Sequence, residues 1–244
     1  MIKDMFKDKR ISAIFTVVFT FLLIMVVFVI AKSDFGKTKK HQELSAEDIE
    51  SLVAAGDFLS PSLRSVDDSD VFLGKKNADV ELIVYEDLSS YYSAEFSKTI
   101  DSIRQNFGDK VLVAFRPYAN KMFPLSISTN LWAQCAMEQG KFFEARKLLL
   151  KQAENETLSE EYFSNYAKEI GLNLDSLEKC VKGEKYLAKL EGLKKEAERF
   201  DVYGAPTVFV NNEMIIGARS FEDVTNGDGQ NLEGMKNIIS RNLK

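Results

Sequence analysis

The sequence predicts a mixed α/β domain carried behind one N-terminal membrane-spanning helix. Three features support that prediction. Residues 11–31 contain no charge. A strand–helix–strand run occupies residues 80–115. A block of helical periodicity over about 125–199 is followed by two further strands and a last helix.

The chain has 244 residues, enough for one good-sized domain and an anchor. The run ISAIFTVVFTFLLIMVVFVIA at 11–31, at about 1.5 Å rise per residue, covers the ~30 Å hydrocarbon core of a bilayer. A cleavable signal peptide is the competing reading, and Val29 and Ala31 suit the small-residue positions before a cleavage site. The apolar region of such a peptide runs only about 7–15 residues, so length favours the anchor. Charge does not fix the orientation. Lys3, Lys7, Lys9 and Arg10 precede the span, and Lys32, Lys37, Lys39 and Lys40 follow it. A short arm before a large C-terminal domain suits a cytoplasmic N-terminus and an extracytoplasmic domain.

Residues 1–31 hold four of the 32 basic residues and two of the 37 acidic ones, so the remainder carries a net charge of −7. Phosphate binding calls for a clustered excess of Lys and Arg, which argues against nucleic acid as a partner. The cluster at 37–40 reads as a membrane-flanking anchor.

Residues 32–70 read as a tether. Ser45 is a helix N-cap signal with Asp48 three residues on, and the acidic run Val66-Asp-Asp-Ser-Asp70 marks a loop. The folded domain, 71–244, opens at Val71-Phe-Leu-Gly74. Val80-Glu-Leu-Ile-Val-Tyr85 is a β-rich apolar run suited to a central strand buried on both faces. A helix is expected from about Ser90, with Phe96, Ile100, Ile103 and Phe107 at helical spacing and Gly108 as its stop. Val111–Phe115 reads as a second central strand, completing a βαβ unit.

Five helices are expected in the following block. They are marked by Leu131 to Met137, by Phe142 to Leu149, by Tyr162 to Ile170, by Leu174 to Val181, and by Leu187 to Ala197. Thr207–Val210 and Glu213–Ile216 read as a hairpin across Asn211-Asn212. Leu232, Met235, Ile238 and Ile239 predict a final amphipathic helix.

This order, β-α-β, helical block, β-β-α, is that of a thioredoxin fold with a helical insertion. Several segments over about 71–241 strengthen the likeness. Tyr85-Glu-Asp-Leu-Ser-Ser-Tyr-Tyr-Ser-Ala-Glu-Phe96 resembles the strand-to-helix corner of the DsbA family, which reads roughly Glu-Phe-x-Asp-Phe-x-Cys-Pro-x-Cys-x-x-Phe. Asp87, Leu88 and Phe96 keep the frame, while Ser90 and Ser93 stand at the two cysteine positions and Tyr91 replaces the proline. Gly204-Ala-Pro-Thr-Val-Phe-Val-Asn211 resembles the family's cis-proline run. Glu138–Phe142 and Ile216–Phe221 resemble the start of an insertion helix and the approach to the last helix.

The chemistry of that family needs a thiolate at a helix N-terminus and a second thiol to resolve the mixed disulfide. A hydroxyl at Ser90 or Ser93 is not redox-active. No catalytic residue and no cofactor is therefore expected, and the inherited chemistry reads as lost. Ser90 is a good helix cap. A Ser-His-Asp triad cannot form within the domain, because the one histidine, His41, lies in the tether. The resemblance also implies an alternative. Kappa-class glutathione transferases share the inserted fold and place a serine at this helix start to hold a thiolate. Ser90 and Pro206 match them, but Tyr91 departs from their pattern.

In DsbA-like proteins the residue before the cis proline pairs with an extended peptide. The expectation here is a binding or scaffold module for exported proteins, with Tyr85, Tyr91, Tyr92, Ala205 and Pro206 lining the groove. A purely structural role for Pro206 is equally open. The resemblance further implies a structural disulfide between Cys135 and Cys180, with two buried free thiols as the alternative. Two cysteines and no histidine in the domain make a metal site improbable.

Overall fold

The computed structural model describes residues 63–243. The expected anchor at 11–31, the cytoplasmic arm and the helix signal at Ser45 lie outside the described residues. Among the described residues no helix is long and apolar enough to cross a membrane.

A five-stranded sheet forms the centre. Its strands are β1 (Val71–Leu73), β2 (Val80–Glu86), β3 (Val111–Pro117), β4 (Thr207–Val210) and β5 (Glu213–Ile216), in the spatial order β1-β3-β2-β4-β5. β2 and β3 are parallel, with Val80 opposite Val111 and Glu86 opposite Pro117. The other pairs are antiparallel. The two strands read as central are thus interior. Successive side chains of a strand point to opposite faces. Val80, Leu82 and Val84 enter one core with Phe96, Ile100 and Ile103, while Ile83 and Tyr85 enter a second with Val202 and Phe209. A strand buried on both faces has to be apolar nearly throughout, and this one is.

The crossover between β2 and β3 is α1 (Tyr91–Phe107). Ser90 is its N-cap, in extended conformation, and Gly108 ends it with φ 55. Gly74 has a stricter reason to be glycine. Its φ is 101, and a Cβ there would stand 2.4 Å from the Val111 carbonyl oxygen of the neighbouring strand.

The insertion consists of α2 (Ser126–Met137), α3 (Phe142–Glu154), α4 (Phe163–Glu169), α5 (Leu174–Lys182) and α6 (Leu187–Glu198). Tyr162 belongs to a short 3-10 turn ahead of α4 rather than to α4 itself. A disulfide joins Cys135 on α2 to Cys180 on α5, with their Cα atoms 5.8 Å apart. The insertion is locked to the sheet by a buried ion pair. Arg146 of α3 donates to both Glu86 carboxylate oxygens at 2.8 Å and lies over the Phe115 ring at 4.3 Å.

Two further features differ from the sequence expectation. Leu232 is not in the last helix. It lies in β7 (Asn231–Leu232), which pairs with β6 (Val224–Thr225) in a small ribbon, and the last helix, α7 (Met235–Asn242), begins only after it. Gly234 precedes that start, and its N–H donates to Asp223 at 2.7 Å, so the chain turns there. The second concerns residues 63–70, which composition places in a tether. Leu63 and Val66 pack on the second core, and Asp70 accepts from the fully buried Arg116 at 3.0 and 3.1 Å. Arg116 also donates to Glu196 of α6 and to the Arg64 carbonyl. One guanidinium thereby gathers three distant segments.

Candidate functional site

The parallel strands β2 and β3 end on the same side of the sheet, where open α/β sheets place their ligands. The corner after β2 is built around Asp87. Its Oδ1 accepts from the Ser89 N–H at 3.0 Å, the Ser89 hydroxyl at 2.8 Å and Asn130 Nδ2 at 2.9 Å. Asn130 in turn accepts from the Leu88 N–H at 3.4 Å. A buried carboxylate used in this way fixes the loop that leads into α1.

Ser90 and Ser93 take up the two positions of the missing thiols, and both hydroxyls are engaged in the backbone. The Ser90 oxygen accepts from the Ser93 N–H at 3.4 Å, the bond of a helix cap. Ser93 is 1% exposed, and its oxygen accepts from the Asp87 N–H at 3.2 Å. Among the described residues neither hydroxyl is hydrogen-bonded to a side-chain base that would make it a nucleophile. Among the described residues no group of three or more His, Cys, Asp or Glu is placed to hold a metal ion.

Facing this corner is the loop before β4. The Ala205–Pro206 bond is cis. The Pro206 carbonyl accepts from Gly217 N–H at 2.9 Å and the Gly204 carbonyl accepts from the Thr207 hydroxyl at 2.8 Å. Between them, the N–H and carbonyl of Ala205 have no hydrogen-bond partner among the described residues. Pro206 is buried, while Ala205 is half-buried with its backbone unpaired.

The corner and this loop bound a groove of about 440 Å³ whose walls include Ser90, Tyr91, Tyr92, Tyr118, Phe123 and Ala205. Its rim is aromatic and open to solvent. Tyr91, Tyr92, Phe123 and Tyr203 are 47, 64, 58 and 72% exposed, with Met122 beside them at 83%. Large apolar side chains gathered in this way on a surface mark an interaction site. Tyr118 forms the buried part of the wall, and burial pushes its phenol pKa up, so the hydroxyl stays neutral.

Of the residues expected at the groove, Tyr91, Tyr92 and Ala205 line this cavity, whereas Pro206, buried next to Ala205, is not among its walls. Tyr85 is a correction. It is fully buried against Phe209 in the second core, the cluster that also holds the groove residues Tyr118 and Ala205, and its hydroxyl donates to Glu196 at 2.9 Å. Burial rather than the choice of face keeps its ring out of the groove, since Tyr118 and Ala205 pack on the same cluster and do line it. Sequence reasoning missed Tyr118, Phe123, Pro124 and Tyr203. A usable signal existed, since residues 118–124 follow the carboxyl end of β3 and Tyr203 stands two residues before Ala205.

A thioredoxin family model matches residues 67–226. The Na+/H+ antiporter NhaA 1 of Mycobacterium sp. strain KMS is 29% identical over 155 residues, covering 62% of this chain and 25% of that protein. The chain therefore spans about a quarter of the length of the curated relatives it matches. The oxidised BdbD of Bacillus subtilis superposes with a TM-score of 0.59 at 17% identity, over 74% of this chain and 96% of that one. The alpha-DsbA1 of Wolbachia pipientis does so with a TM-score of 0.56 at 17% identity, over 72% and 92%. These likenesses establish the fold.

Proposed function

We propose, from the premise that this chain belongs to the thioredoxin family in its DsbA-like form, that it is a binding member of that family rather than a redox one. It is anchored in the membrane by residues 11–31, faces the outside of the cytoplasm, and holds extended segments of exported polypeptides in the aromatic groove. One juxtaposition supports this reading above the others. The free backbone of Ala205 faces a rim of exposed aromatic side chains, while hydroxyls of Ser90 and Ser93 fill the two positions where the thiol pair would stand. A free backbone N–H and C=O beside apolar walls is what β-strand addition by a peptide uses, and it needs no catalytic group.

Relatives named as antiporters carry a segment like this one within a membrane protein. That setting agrees with a domain held close to a bilayer. The disulfide agrees with an oxidising compartment.

The test is a titration of the full-length chain in lipid nanodiscs with short, fluorescein-labelled, Phe- and Val-rich peptides, against empty nanodiscs. Tyr92→Ser combined with Tyr203→Ser is expected to weaken binding at least tenfold. Equal affinity for the two proteins would remove the groove from the account.

A further inference from the structure

Asp87 is the one residue with a formal charge in the walls of the groove. It is 4% exposed, and its two oxygens are used unequally. Oδ1 accepts all three of the bonds that hold the corner, and Oδ2 accepts none among the described residues. The donors around it are already committed. Ser89 gives both its N–H and its hydroxyl to Oδ1. Asn130 gives its amide hydrogens to Oδ1 and to the Ser126 carbonyl. Among the described residues, the polar side-chain atoms that are both enclosed and without a partner are Thr129 Oγ1, Trp132 Nε1 and Gln134 Oε1. Asp87 Oδ2 is not one of them, and the open space it borders is the groove.

A buried carboxylate oxygen without a donor is costly, so Oδ2 calls for one from a ligand. The sign of that ligand follows from its surroundings. The N-terminus of α1 favours an anion at this end of the groove, and Asp87 already stands there as that anion, bonded to Ser90 and Ser93 of the helix start. A second anion would be repelled by it. A cation meets the carboxylate and, around it, the aromatic walls of Tyr91, Tyr92, Tyr118, Phe123 and Tyr203. Aromatic rings attract a cation placed over them. Tyr118 already does so with a cation of the chain itself, Lys194, whose Nζ lies 5.7 Å from the ring centroid and is paired with Glu198.

We propose that the groove selects a lysine of the extended polypeptide it holds, with the ammonium donating to Asp87 Oδ2 and the methylene stem lying between the aromatic walls. The use of a single oxygen decides between the basic side chains. A guanidinium makes its best bond as a fork to both oxygens of a carboxylate, and Oδ1 is already filled by three donors. An ammonium is a compact point charge and needs only one. A peptide N-terminus offers the same head group without a stem. With the peptide backbone pairing at Ala205, only a side chain on a long apolar stem brings its charge down to a carboxylate that is almost wholly buried. This assignment rests on the groove reading and adds to it the residue that the groove prefers.

The experiment titrates the full-length chain in nanodiscs with fluorescein-labelled peptides that share one Phe- and Val-rich sequence and differ at a single central position. That position holds lysine, norleucine, arginine or trimethyl-lysine. Norleucine keeps the four-carbon stem without the charge. Trimethyl-lysine keeps the charge but has no N–H to donate. The lysine peptide is expected to bind at least tenfold more tightly than the norleucine and trimethyl-lysine peptides, and more tightly than the arginine peptide. Asp87→Asn keeps an acceptor for the corner and sets an amide NH2 where Oδ2 stood, so it is expected to bring the lysine peptide down to the norleucine affinity. The peptide series is read on the wild-type protein and decides the matter even if that variant does not fold. Free 1,5-diaminopentane at the peptide's concentration is expected not to displace the lysine peptide; displacement would make a free amine the occupant and overturn the proposal. Equal affinity for the lysine and trimethyl-lysine peptides overturns the bond to Asp87. Equal affinity for the lysine and norleucine peptides, both weakened by Tyr92→Ser with Tyr203→Ser, overturns the lysine site and leaves the groove standing. A lysine preference that needs Asp87 but survives those tyrosine changes supports the lysine site and overturns the aromatic rim. Binding of no peptide overturns both.

Discussion

At the residue scale the central fact is that Ser90 and Ser93 are built into the backbone of the corner. Ser90→Ala removes the acceptor of the Ser93 N–H and is expected to cost about 0.5–2 kcal/mol in chemical denaturation. Ser90→Asp should be tolerated, since Asp also caps and suits the positive end of the helix. The glutathione reading makes the opposite demand, because a carboxylate at 90 would repel a bound thiolate. Calorimetry with glutathione on wild type and Ser90→Asp is expected to give no heat of binding in either. Binding lost only in the Asp variant would favour the transferase-like role.

Tyr85 gives the second residue-scale prediction. Burial is the largest influence on its phenol and pushes the pKa up to about 12. An unfolded tyrosine titrates near 10. The raised folded value means that this stabilisation is whole below pH ~10 and is lost as pH climbs toward about 12. Tyr85→Phe should flatten that part of the stability–pH curve, read by denaturant titration in alkaline buffers. An unchanged slope would mean that Tyr85 is not the group responsible. The corner was legible in the sequence because its signals are local: a cap, a helical period and a stop at Gly108. The burial of Tyr85 was not, because β2 is apolar on both faces and its pattern cannot say whether a residue near its end is covered or open to the groove.

At the scale of elements, two ties decide how the insertion and the N-terminal segment sit on the sheet. The disulfide closes a loop of 45 residues, and chain entropy assigns it about 4 kcal/mol. Cys135 and Cys180 should resist alkylation in protein taken from its own membrane, with their two peptides linked in a non-reduced digest. Free alkylation of both after mild unfolding would contradict the bond and weaken the extracytoplasmic placement with it. The other tie is Arg116, fully buried between Asp70 and Glu196. Although burial opposes ionisation, the hydrogen bonds from Arg116 and Arg64 hold the Asp70 carboxyl below its ordinary value. Arg116→Met removes the buried partner of two carboxylates and leaves them only the half-exposed Arg64, and is expected to destabilise by up to roughly 3–5 kcal/mol in guanidinium unfolding. A loss under about 1 kcal/mol would show that the pair is replaceable at no great cost. Nothing in the sequence marked this cluster, because Asp70, Arg116 and Glu196 meet only through tertiary packing. The β6–β7 ribbon escaped for a related reason, since strands of two residues carry no periodicity.

At the scale of the molecule, the order of elements identified the fold, and serines at the two cysteine positions of a recognisable frame motivate the proposed non-redox role. What the order could not supply was the groove rim, which is assembled from the ends of β3, α1 and the loop before β4. The proposed role therefore rests on an unpaired Ala205 backbone beside a helix start that carries serines instead of thiols. Insulin-disulfide reduction by the full-length chain tests this most directly, run beside a Ser90→Cys, Ser93→Cys variant of the same protein. The account predicts that wild type matches buffer and that the variant, with thiols restored at the helix start, reduces insulin measurably. Turnover by wild type that survives replacement of Cys135 and Cys180 by Ala would contradict it.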